Sequence, residues 1–103
     1  MQEKVSIFNK NSGRENSPLA VADRLLDTQS ELGELAKEYL KNTNYGKDKF
    51  KSSLDFELEY GDVMYSLLTL ANETGLEAEK CLEKALEKYQ LRMKNKNNMG
   101  SGR

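Results

Sequence analysis

Residues 18–41, PLAVADRLLDTQSELGELAKEYLK, decide the fold class. Their apolar members, Ala22, Leu25, Leu26, Leu32, Leu35, Ala36, Tyr39 and Leu40, recur three and four apart, which is the period of a helix with one apolar stripe. Ser17 before Pro18 supplies the start, a capping hydroxyl followed by a ring preset for the first helical position. Asn42-Thr43-Asn44-Tyr45-Gly46 supplies the stop, with residues that tolerate left-handed backbone.

The same reading extends in both directions. Upstream, residues 2–10 present Val5 and Phe8 on a short helix closed by the polar run Asn9 to Gly13. Downstream, after the charged loop 47–51, Ser52 or Ser53 can cap a third helix carrying Leu54, Leu58, Val63, Tyr65, Leu67, Leu68, Leu70 and Ala71, and Gly75 ends it. A fourth helix from about Glu77 is expected to bury Ala78, Cys81, Leu82, Ala85, Tyr89 and Met93. The apolar pattern lapses after Lys94, so residues 1–94 are expected to form one all-α domain and residues 95–103 a disordered tail. One proline in 103 residues fits an all-helical chain.

Composition narrows the chemistry. Apolar residues make up 37% and charged residues 32%, a thin core for a lone chain of this length, so self-association is expected to complete it. The chain has no histidine, which excludes Ser-His and Cys-His nucleophilic systems, His-bearing zinc sites and Glu-x-x-His di-iron bundles. Seventeen acidic side chains remain for hard cations. The single Cys81 cannot form an internal disulfide, no stretch approaches the roughly 20 apolar residues of a membrane span, and no apolar signal core follows Met1. A cytoplasmic protein without a membrane partner is the expectation, and a net charge of -1 argues against a nucleic-acid partner. That net value hides a split: residues 1–75 carry 9 basic and 13 acidic groups, residues 76–103 carry 7 and 4.

The acidic groups are patterned. Glu31 and Glu34 lie three apart on one helix face with Glu38 a turn further, and Glu59 and Asp62 repeat the spacing on the next helix. Such spacing alone is common on charged helices. Gly33 and Gly61, however, sit inside the two pairs, where each costs roughly 1 kcal/mol relative to alanine and allows close backbone approach. Two antiparallel helices can thereby bring four carboxylates together, a density of like charge that a divalent cation would offset. On the fourth helix Lys80, Lys84, Lys88 and Arg92 form a cationic column beside Glu79, Glu83 and Glu87. They read either as an ion-paired exposed face or, at Lys88 and Arg92, as groups reaching a polyphosphate.

Glu31-Leu-Gly-Glu34-Leu-Ala and Glu59-Tyr-Gly-Asp62-Val, with 24 residues between Glu34 and Glu59, resemble the signature of the MazG-like nucleotide pyrophosphohydrolases, all-α enzymes that cleave nucleoside triphosphates. The likeness continues through Ser17-Pro18, Arg24-Leu-Leu-Asp27, Asn44-Tyr45-Gly46, Leu70-Ala-Asn72-Glu-Thr-Gly75 and Lys88-Tyr89-x-x-Arg92, covering about residues 5–92. It implies a four-helix MazG-like bundle assembled as homodimer or homotetramer. Mg2+, or Mn2+ in its place, would be held by Glu31, Glu34, Glu59 and Asp62, with hydrolysis of a (d)NTP to the monophosphate and pyrophosphate as nucleotide-pool house-cleaning. By the same resemblance Lys88, Tyr89 and Arg92 would meet the phosphates.

Within that reading, one of the four carboxylates or Glu38 accepts the proton of the attacking water, and Phe8 and Tyr45 are the aromatic candidates for base stacking. The chain departs from the family in two places: many members carry a glutamate where Ser30 stands, and Lys-Asn is common where this chain has Lys88-Tyr89. The competing readings are a non-catalytic helical module that binds metal or nucleotide, and a narrow dUTP or dCTP pyrophosphatase.

Overall fold

A computed structural model describes residues 1–13 and 20–99. Its described residues form four helices and no strand: α1 (Gln2–Asn11), α2 (Ala20–Asn42), α3 (Leu54–Thr74) and α4 (Ala78–Met99). The expected Ser17-Pro18 start of α2 lies outside the described residues. At the other end α4 runs through residues 95–99, where loss of the apolar pattern predicts a tail.

The helix ends follow local chemistry. Ser53 caps α3, its Oγ accepting from the Phe56 N–H at 3.1 Å while Asn42 Nδ2 donates to the same oxygen at 2.9 Å. Gly75 ends α3 at φ 71. After α2 the backbone turns through Asn44, Tyr45 and Gly46, all at positive φ, with Thr43 buried beneath them accepting the Gly46 N–H at 3.1 Å. Phe50 closes this end, stacked on Tyr39 at 5.3 Å and edge-on to Phe56 at 4.9 Å.

α2 and α3 run antiparallel: Arg24 lies over Tyr65, Glu31 meets Glu59 and Asp62, and Asn42 meets Ser53. α1 packs across α3 through Asn9, a buried residue that accepts the Tyr65 hydroxyl's hydrogen bond and donates to Thr69 Oγ1 at 3.2 Å. Phe8 meets the Tyr65 ring edge-on at 6.0 Å. The core is small; among the described residues the buried apolar side chains are Leu68 and Ala71.

Two expectations about apolar faces are corrected. The α2 face toward α3 consists of Val21, Arg24, Thr28, Glu31, Leu35, Glu38 and Asn42, each half-buried, whereas Leu25, Leu26, Leu32 and Leu40 are exposed. The strongest apolar stripe therefore points away from the chain's own partner helix. On α4, Cys81, Leu82, Tyr89 and Met93 are exposed rather than buried, and only Ala78 and Ala85 are half-buried. The reason is geometric: α4 packs along none of the other helices, so the four helices do not close into a four-helix bundle within one chain. A radius of gyration of 17.7 Å, against about 13 Å for a compact chain of this length, measures that projection.

What fixes α4 is its first turn. Gln2 Nε2 donates to the Leu76 carbonyl at 2.6 Å, Gln2 Oε1 accepts the Ala78 N–H at 2.8 Å, and Asn72 Nδ2 donates to the Gln2 carbonyl at 3.2 Å. One side chain of α1 thus satisfies an otherwise unpaired donor at the α4 start and holds the α3–α4 corner.

Candidate carboxylate site

Antiparallel packing of α2 on α3 brings Glu31, Glu59 and Asp62 together, with one carboxylate oxygen from each lying within 4.8 Å of the others. Glu31 and Glu59 are half-buried and Asp62 is exposed, so the group opens to solvent on one side. Loss of hydration raises the Glu31 pKa above the ordinary glutamate value, and the charges of Asp62, Asp27 and Glu34 add to the rise. Glu59 is raised in the same order of causes, by lost hydration and then by Asp62, Glu31, Glu34 and Glu38. Such mutual repulsion is what a bound cation would relieve.

The other two acidic candidates stand apart from this group. Glu34 is about half exposed, its Oε1 3.9 Å from Lys37 Nζ, and it acts on Glu31 and Glu59 through its charge without joining the three converging oxygens. Glu38 has a largely covered side chain, pairs with Lys41 Nζ at 3.4 Å and adds its charge to the field at Glu59. Gly33 and Gly61 do not mark a close approach: a Cβ at either meets no heavy atom within 4 Å, so their expected role in bringing the helices together is corrected.

The cationic and aromatic candidates are dispersed. Lys88, Tyr89 and Arg92 lie on α4, with Lys88 Nζ 5.4 Å from the centre of the Tyr89 ring. A shallow concavity of about 330 Å³ there is lined by Tyr89, Arg92, Met93 and Lys96. Because α4 packs along neither α2 nor α3, these groups and the carboxylates are not gathered by packing within one chain. Phe8 is half exposed against Tyr65, and Tyr45 stands largely exposed in the turn after α2.

The motif spacing does not reveal Arg24 and Tyr65. Arg24 lies over the Tyr65 ring at 5.6 Å and pairs with Asp27 at 3.5 Å, two turns before Glu31. Its Nε is buried without a hydrogen-bond partner. The signal for it was an arginine on the same helix face as the glutamates, visible only once that face is known to point at α3.

Three oxygens in this arrangement suit a hard divalent cation. Ligands of Mg2+ at 2.0–2.1 Å lie about 3 Å apart when adjacent and about 4.2 Å apart when opposite, within reach of small rotations of Glu31, Glu59 and Asp62. The donor set is all oxygen, and one open side leaves room for water and a further ligand.

Fold and site together define an all-helical protein with a three-carboxylate centre between two antiparallel helices. Over 83 residues the chain is 37% identical to the uncharacterized protein YpjD of Bacillus subtilis (strain 168), an alignment covering 78% of this chain and 70% of YpjD. The chain belongs to the family of YpjD. No family model matches it, and no solved structure does. No helix among the described residues is long and apolar enough to cross a membrane.

Proposed function

We propose that this protein is a MazG-like, Mg2+-dependent nucleoside triphosphate pyrophosphohydrolase that converts a (d)NTP to the monophosphate and pyrophosphate. The observation that carries the reading is the convergence of Glu31, Glu59 and Asp62, three of the four carboxylates of the paired motif, from two helices onto one point. The raised pKa values of Glu31 and Glu59 support it, because lost hydration and, after it, the neighbouring negative charges disfavour their ionised forms, a cost that a divalent cation would offset.

In this reading Glu31, Glu59 and Asp62 would hold the ion, with Glu34 beside them as the fourth acidic group of the paired motif. Bound there, Mg2+ would supply charge neutralisation for the triphosphate and a more acidic water. The chain's own groups do the rest. Glu38, close enough to act on Glu59 by charge, or a carboxylate of the set receives the proton released by the attacking water, and the raised pKa of Glu31 and Glu59 suits that task. Lys88 and Arg92 counter the charge of the leaving pyrophosphate, Arg92 through its planar fork. Since α4 stands off from α2 and α3, those cations come from a second copy in a homodimer or homotetramer, which also covers the exposed leucines of α2.

The test is incubation with a panel of NTPs and dNTPs in Mg2+, assayed for monophosphate and pyrophosphate. Asp62→Asn and Glu34→Gln should each lower kcat/KM by at least about 100-fold, the scale of losing one group that stabilises transition-state charge. Turnover unchanged in both variants would overturn the assignment. Nucleotide binding by calorimetry without pyrophosphate release would favour a non-catalytic module.

A further inference from the structure

α4 carries a second feature that is independent of the carboxylate centre. Leu82, Leu86, Tyr89 and Met93 recur four, three and four apart on one face, and each is about half exposed or more. Most helical stability in proteins comes from packing an amphipathic face, and within one chain α4 leaves this face uncovered. The concavity on it is lined by Tyr89, Arg92, Met93 and Lys96, positions i, i+3, i+4 and i+7 of one helix. Four residues at those positions are what forms a hole for a single knob side chain from a facing helix.

The charges say which helix faces it. From Ala78 to Glu87 α4 carries three acidic and two basic groups, and from Lys88 to Lys96 four basic and none acidic. A parallel copy would set like halves side by side, and an antiparallel copy sets unlike halves together.

We propose that α4 pairs antiparallel with α4 of a second copy of this chain, the partner's Leu82 seated in the hole formed by Tyr89, Arg92, Met93 and Lys96. That register also sets Leu86 beside the partner's Tyr89 and Glu79 at the level of the partner's Lys96. The apolar layers of that register agree with the coarse division of charge between the two halves of α4. Tyr89 then belongs to the core of the pair, while Lys88 and Arg92 stay at its margin.

Sedimentation equilibrium of the full chain gives the first readout: a mass of two chains, or an even multiple, is expected, and a monomer overturns the proposal. The second uses Leu82→Cys and Met93→Cys, each in a Cys81→Ser background. Equivalent positions in an antiparallel pair are 11 residues out of step, about 16 Å along the axis. Neither variant alone should therefore crosslink on mild oxidation, whereas the two refolded together should give a covalent dimer. Crosslinking of each variant alone would show parallel pairing. No crosslink in the mixture, with both variants retaining the wild-type mass and helicity when reduced, would place the interface elsewhere; either result overturns the proposal. Loss of pyrophosphohydrolase activity has no bearing on these readouts.

Discussion

At the scale of single residues, the carboxylate cluster is a place where folding works against itself, a cost that the proposed cation would offset. Burial and like charge raise the pKa of Glu31 and Glu59, so their ionised forms cost the fold, and that cost disappears as pH falls through the raised values. Glu31→Gln is therefore expected to stabilise the metal-free protein at neutral pH by about 0.5 kcal/mol, the scale of a few relieved like-charge contacts. The advantage should shrink toward zero as pH drops into the ordinary carboxylate range, read by urea unfolding in chelator. Added Mg2+ should reverse the order, stabilising the wild type and leaving the variant unmoved. Asn9 makes the opposite kind of contribution. Its amide ties Tyr65 and Thr69 beneath α1, so Asn9→Ala should cost about 1–3 kcal/mol through the loss of two hydrogen bonds made by a buried side chain.

At the scale of elements, the sequence was most informative where local chemistry decides. The helical period of residues 20–41, a serine cap at 52 or 53 and the stop at Gly75 are legible because each needs only neighbours in the chain. The pairing of Glu31 with Glu59 and Asp62 followed from two repeated spacings and one turn. What the period could not reveal was direction: an apolar stripe shows that a face wants cover, not which element covers it, and Leu25, Leu32, Leu82 and Met93 were expected inside a bundle that one chain does not close. Gly61 illustrates the same limit. With open space where its Cβ would stand, Gly61→Ala should raise stability by roughly 0.5–1 kcal/mol through helix propensity alone. A loss of stability there would mean that a second chain, not α2, approaches Gly61. Gln2→Ala should leave α2 and α3 intact by hydrogen exchange while increasing exchange at the first turn of α4, which Gln2 anchors through the Leu76 and Ala78 backbone.

At the scale of the whole molecule, a small core, an exposed leucine stripe on α2 and a projecting α4 leave apolar surface that the proposed self-assembly would cover. The division of charge suits that assembly, with the acidic centre on α2 and α3 and the cations concentrated in the second half of α4. Kinship with YpjD assigns the chain to a family, and the carboxylate geometry is what connects it to chemistry. The central claim is that this geometry directs cleavage between the α- and β-phosphates of a nucleoside triphosphate. Phosphorus NMR of products formed from an NTP and dNTP mixture in Mg2+ tests it most directly. Monophosphate and pyrophosphate in equal amounts, absent with Asp62→Asn, is the predicted result; diphosphate with orthophosphate, or no turnover of any nucleotide, would contradict it.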